Sequence, residues 1–246
     1  MKLKEPNDAS INVLILAASK SAYSDDLGDY PSCLKEVKGK SVLQHIAEKI
    51  KFIKGSDIMF AFLDSELQKF HLDNITSLLV PGSKSVNISS ETKGSGCTAL
   101  LCASQLEQEN ELLIVTANEL VEIDFAKFLD DFRKRKLDAG TLIFQSVHPR
   151  YSFVKLENNY VVEVAQRNPI SSNATAGVFW YKKTKHFVNA IKENILKRAE
   201  VDNLYFVAPS FNELILKGLK VGTYELKQDE YIPLKNKNQA DNINSK

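Results

Sequence analysis

Two stretches carry residues whose types and spacing suit phosphate chemistry. In the first, Ile11 to Leu43, an apolar run from Val13 to Ala18 empties into a loop of small and polar residues, Ala18 to Ser24. A buried strand that ends in such a loop presents backbone N–H groups at a sheet's carboxyl edge, where open α/β folds bind phosphates. Lys20 lies in this loop and can approach a phosphate; Lys35 follows on a short segment expected to be a strand facing solvent. The second stretch is Thr92-Lys93-Gly94-Ser95-Gly96-Cys97-Thr98, just ahead of a helix expected over Ala99 to Leu106. Gly94 and Gly96 let the backbone come close to a ligand, and Thr98 offers a hydroxyl and an N–H near a helix start. The same residues also suit a plain glycine-rich helix cap.

The elements that must position these loops follow from hydrophobic periodicity. Val13–Ala18, Ile58–Leu63 and Leu112–Val115 are short apolar runs bounded by turn residues, as expected for strands buried on both faces. Val42, Leu43, Ile46, Ile50 and Ile53 recur at helical spacing behind the Ser41 cap. Short segments over Glu66 to Phe70 and Ile75 to Val80 lead to a strand at Val86 and Ile88. Phe125, Phe128, Leu129 and Phe132 stripe a second amphipathic helix, with Lys134-Arg135-Lys136 at its carboxyl end. Residues 150–165 alternate around Asn158-Asn159 as a β-hairpin. Phe187, Val188, Ile191 and Ile195 mark a further helix, and Val221 to Leu226 a last strand. Strands alternating with amphipathic helices define an α/β domain with a mainly parallel central sheet. No repeat or linker interrupts it; one domain over 1–232 and a disordered polar tail over 233–246 are expected.

Bulk properties narrow the function. The 246 residues include 43% hydrophobic side chains, enough for one sizeable core, and the net charge of +1 argues against nucleic acid as the dominant partner. No apolar run has the roughly 18–20 residues of a membrane span, and the first residues lack a signal-peptide core. Cys33, Cys97 and Cys102 have no metal-ligand spacing, and an odd count fits reduced thiols and a cytoplasmic location. His45, His71, His148 and His186 are scattered and read as surface or packing residues.

The order Leu16-Ala17-Ala18, small-residue loop, Pro31, Leu34-Lys35-Glu36-Val37-Lys38-Gly39-Lys40, helix resembles the sugar-phosphate nucleotidyltransferases, or nucleotide-sugar pyrophosphorylases. The likeness extends through Thr92 to Thr98 and on to Tyr151-Ser152-Phe153-Val154. It continues through Val162-Glu163-Val164-Ala165-Gln166-Arg167, Pro169-Ile170-Ser171, Ala174-Thr175 and Gly177. This second half looks like a branch found in bacterial capsule and surface-polysaccharide clusters. The resemblance implies a Rossmann-like fold with a small β-rich lobe over one sheet edge. It also implies a nucleotide or sugar-phosphate ligand, Mg²⁺ if the protein is active, and a binding site including Ala17, Ala18, Ser19, Gly94, Gly96, Thr98, Gln166, Arg167, Ser171, Thr175 and Gly177.

The working residues depart from that pattern. The loop glycines fall at Ala18 and Lys20, the arginine at Ala22, and the lysine at Ser32. The metal-holding aspartate falls at Asn118, and carboxylates fall at Gln166 and Leu204. Glu119 could supply a metal carboxylate, although neighbours on an extended segment point to opposite faces. Hard divalent ions favour anionic oxygens, and transfer to a sugar phosphate relies on charge stabilisation. Two readings stay open: a degenerate family member retained for ligand binding or as a regulatory partner of an active paralogue, or an enzyme with a rebuilt site. A purely structural role is a third.

Overall fold

The computed structural model describes residues 10–18, 30–89 and 92–234. Strand β1 (Ile11–Leu16) is buried along its whole length. After it, a 3-10 turn at Ser32–Leu34 leads to the two-residue strands β2 (Glu36–Val37) and β3 (Lys40–Ser41), which pair around Gly39. Helix α1 (Val42–Ile50) starts where Ser41 Oγ accepts the Gln44 N–H at 3.1 Å, the N-cap that the sequence predicts. Strand β4 (Ser56–Leu63) is followed by α2 (Asp64–Phe70) and α3 (Leu72–Leu79), with His71 left-handed between them.

Strand β5 (Lys84–Ile88) precedes α4 (Ser95–Ala103), which starts four residues earlier than expected and carries Cys97 and Cys102. Then come β6 (Glu111–Thr116), β7 (Glu119–Val121) and α5 (Phe125–Lys134), whose Asp124 cap accepts the N–H groups of Ala126 and Lys127. Strand β8 (Ala139–Gln145) leads to the hairpin β9 (Ser152–Glu157) and β10 (Tyr160–Gln166), turned by Asn158 and Asn159 at positive φ. The chain closes through β11 (Asn173–Tyr181), α6 (Thr184–Leu196), α7 (Ser210–Leu216), β12 (Val221–Glu225) and β13 (Tyr231–Pro233).

Nine of these strands form one sheet in the order β10-β9-β11-β6-β1-β4-β5, with β8 on β11 and β12 on β8. The block β6-β1-β4-β5 is parallel. Strand β11 runs antiparallel to β6, β8 and β9, so the expected β-rich lobe is the antiparallel end of the same sheet. Alternation along each strand splits the core in two. Val13 and Ile15 of β1 pack with α1 and α5 on one face. Leu14 and Leu16 pack with α4, α6 and α7 on the other.

The carboxyl end of the chain departs from expectation. Tyr231, Ile232 and Pro233 pair with Val121, Leu120 and Glu119, and Leu234 is buried. The ordered chain therefore extends at least two residues past the expected boundary at 232, because β7 supplies a hydrogen-bonding edge. Residues 235–246 lie outside the described residues.

On α2, Glu66 is partly buried beside Cys33, and its Oε2 has no hydrogen-bond partner among the described residues. Desolvation pushes its carboxyl from 4.5 up to about 7. A folded-state value above the unfolded one favours the neutral acid. The associated stability is therefore complete below about pH 4.5 and is lost as pH rises toward 7. Glu66→Gln should match wild type near pH 4 and exceed it by about 1 kcal/mol at pH 8, allowing for the solvent that still reaches the group. Urea melts at the two pH values check this; equal stabilities at pH 8 would contradict it.

Candidate functional site

The carboxyl ends of the parallel strands open into a cleft of about 830 Å³. Leu16 ends β1 and Ala18 follows it, Leu63 ends β4 and Thr116 ends β6, so the cleft sits where an open α/β sheet places ligands. Ser32 and Lys35 approach from the 3-10 turn, and Gly94, Ser95 and Thr98 from the start of α4. The antiparallel end of the sheet contributes Gln166, Thr175 and Gly177, and the segment before α7 contributes Leu204 and Phe206. Ser19, Lys20 and Ala22 lie outside the described residues.

Around α4 the glycines serve the chain itself. Gly94 has φ +92°, and a Cβ there would sit 2.5 Å from the Tyr205 carbonyl oxygen. Gly96 donates its N–H to that same oxygen at 2.8 Å, and a Cβ on it would meet Ile191 and the backbone of Tyr205 and Phe206. Both glycines thus seat the loop against the 204–206 segment, and Gly96 is absent from the cleft wall. Thr98 Oγ1 is paired with Thr92 Oγ1 at 3.1 Å and donates to the Gly94 carbonyl at 3.3 Å.

Ala17 is held in the sheet, donating its N–H to the Ala61 carbonyl at 2.9 Å. Ser171 also lies off the cleft: its hydroxyl donates to the Val154 carbonyl at 2.7 Å and accepts the Asn173 N–H at 3.0 Å. Gln166 faces the cleft, with Oε1 accepting the Ser152 hydroxyl across the hairpin. Arg167 stands at φ +59°, paired with Asp202 and 5.5 Å from the Phe206 ring centroid.

Asn118 and Glu119 both line the cleft. The chain turns at 117–118 between β6 and β7, so the extended segment on which the expectation of opposite faces rested is absent there. Glu119 is 6% exposed. Its Oε1 accepts the Thr116 hydroxyl at 3.0 Å and its Oε2 the Tyr231 hydroxyl at 2.7 Å. Burial, then the Glu119 carboxylate, pushes the Tyr231 phenol far up, so it stays a donor. Asn118 Oδ1 is enclosed and has no partner among the described residues.

These groups do not fit a divalent metal. Among the described residues, Glu119 is the only carboxylate on the cleft wall, and both of its oxygens already accept hydrogen bonds. Asn118 offers one neutral amide oxygen, a weak ligand for a hard cation. No group of three or more His, Cys, Asp and Glu among the described residues is arranged to hold a metal.

Cations, by contrast, are present. Lys35 lines the cleft instead of facing solvent, because the 3-10 turn reverses the chain ahead of β2. Desolvation lowers its ammonium pKa. Arg150, just before β9, also lines the cleft, as do His148 and Tyr151. Sequence reasoning missed Arg150; its position at the mouth of an alternating hairpin was the available signal.

A Rossmann-like nucleotidyltransferase fold accounts for this arrangement of parallel strands, carboxyl-edge cleft and antiparallel end. No protein-family model and no curated protein matches the sequence. Solved structures do. The chain is similar to the nucleoside-diphosphate-sugar pyrophosphorylase from Vibrio cholerae RC9, with a TM-score of 0.79 and 17% identity over 96% of this chain and 100% of that one. A UDP-glucose pyrophosphorylase complexed with UDP-glucose superposes with a TM-score of 0.74 at 12% identity, over 96% and 97% of the two chains. The inositol-1-phosphate CTP transferase from T. maritima gives 0.65 at 14% identity, over 88% and 86%. At such identities the likeness establishes the fold alone. No helix among the described residues is long and apolar enough to cross a membrane.

Proposed function

We propose that this chain binds a nucleotide or sugar phosphate in the carboxyl-edge cleft and has lost efficient nucleotidyl transfer. It acts as one unit that includes β13 and Leu234, in the cytoplasm of a bacterium. There it serves nucleotide-sugar or capsule-polysaccharide metabolism as a binding or regulatory partner of an active paralogue. One observation carries the reading. Where the resemblance assigns a metal aspartate, the side chain is the neutral amide of Asn118, and the adjacent carboxylate of Glu119 is committed to Thr116 and Tyr231.

In this reaction class a sugar-phosphate oxygen attacks the α-phosphorus of a nucleoside triphosphate in line, and pyrophosphate leaves. Catalysis rests on placing positive charge where the phosphate oxygens develop negative charge. The cleft between the strand ends and the start of α4 persists despite the altered side chains, which supports binding without turnover. The second reading, an active enzyme with a rebuilt site, is favoured by the presence of Lys35 and Arg150 on the cleft wall.

Calorimetric titration with nucleoside diphosphates, sugar 1-phosphates and nucleotide sugars, followed by product analysis of each mixture, tests the proposal. Saturable binding with the ligand recovered intact is expected. Failure of every ligand to bind would overturn the reading.

A further inference from the structure

Arg150 holds a donor that no described residue uses. Arg150 lines the cleft, and its enclosed Nε has no hydrogen-bond partner among the described residues. The surrounding turn fixes its backbone: the Arg150 N–H donates to His148 Nδ1 at 3.3 Å, and the Tyr151 N–H to the His148 carbonyl at 3.3 Å. The guanidinium carbon lies 4.8 Å from the centroid of the Tyr151 ring. That ring is a rigid platform, 4% exposed and packed edge-on against Phe144 at 5.0 Å. A guanidinium stacked on an aromatic face can still donate in its own plane. An enclosed donor of this kind is disfavoured unless something supplies an acceptor. Glu119 is the only carboxylate on this wall among the described residues, and its oxygens are taken by Thr116 and Tyr231.

We infer that Arg150 is the phosphate-binding residue of the cleft and that it holds the phosphate without a divalent cation. The inference rests on the binding function proposed above and deepens it. A guanidinium matches two phosphate oxygens at once, and such charge-assisted pairs are strong where water is partly excluded. The phosphate belongs to a nucleotide or to a sugar phosphate; the chemistry of the contact is the same, and separate titrations tell them apart.

The test is calorimetric titration of the full chain with inorganic pyrophosphate, a panel of nucleoside diphosphates and glucose 1-phosphate, each with EDTA and with Mg²⁺. Wild type is expected to bind at least one probe in EDTA, with Mg²⁺ changing the affinity less than about threefold. Arg150→Ala should weaken that probe about ten- to hundredfold, the range for loss of a hydrogen bond to a charged group. Arg150→Lys should recover part of the loss. Arg150→Gln, which keeps the stem over Tyr151, should behave like Ala while melting at the wild-type temperature. The probes that lose affinity identify whose phosphate is held. Wild-type affinity in both Arg150→Ala and Arg150→Gln would remove this inference and leave the binding function standing. Binding that appears only with Mg²⁺ would also overturn it. A wild type that binds none of the probes would remove both.

Discussion

Gly177→Ala is expected to destabilise the protein by about 2–5 kcal/mol, a large share of the 5–15 kcal/mol that holds a typical domain folded. Gly177 lies in β11 at φ +64°, where an L side chain costs about 1–2 kcal/mol. A Cβ there would stand 2.1 Å from both Glu119 Oε1 and Thr116 Oγ1. Those atoms cannot retreat cheaply, because the Thr116 hydroxyl donates a hydrogen bond to Glu119 Oε1 and Tyr231 holds the other carboxylate oxygen. Overpacking of this kind adds about 1–3 kcal/mol. Glu119→Ala on the same background should relieve part of the clash, making the double variant more stable than the two single losses added together. Urea melts of the four proteins check this. A loss below about 1 kcal/mol in Gly177→Ala would contradict the tight packing between β7 and β11.

The second large effect is a gain of activity. The combined variant Ala22→Arg, Ser32→Lys, Asn118→Asp should release pyrophosphate at least about a hundredfold faster than wild type, since one preorganised electrostatic group contributes about 10²–10³. Ser32 and Asn118 both line the cleft, so two of the three new charges start from placed backbone positions. Such groups act as a unit, and the combined gain should exceed the sum of the single gains. Asn118→Asp alone puts a negative charge at the enclosed, unpartnered Oδ1. That variant should melt below wild type in EDTA and recover with added Mg²⁺, because a cation that binds the folded state stabilises it by mass action. A well-folded triple variant with no gain would mean that the cleft differs from a working site at further positions.

Much of the frame was legible from short-range pattern. The apolar runs of β1, β4 and β6, the Ser41 cap and the Asn158-Asn159 turn each depend on neighbouring residues alone, and each lies where the sequence places it. The site was less legible because its geometry comes from contacts distant in sequence. Glu119 is fixed by Tyr231, 112 residues away, and no local pattern announces that β13 pairs with β7. Gly96 looked like a ligand-facing glycine, yet its open side is filled by Ile191 and the 205–206 backbone. Lys35 looked like a solvent-facing strand residue, and a three-residue 3-10 turn set it on the cleft wall. In each case a turn or a remote partner, and not the local pattern, decided where the residue went.

The central claim is binding without efficient transfer, and the wild-type turnover number tests it most directly. Pyrophosphate release should be followed over nucleoside triphosphates and sugar 1-phosphates in all pairings, with Mg²⁺ and with Mn²⁺. Enzymes commonly turn over at about 1–10³ s⁻¹. The neutral amide at Asn118 and the committed carboxylate at Glu119 predict about 10⁻² s⁻¹ or less for every pairing, a loss of the size that missing charge stabilisation produces. A rate of about 1 s⁻¹ or more with any pairing would contradict the account and establish the rebuilt-enzyme reading in its place.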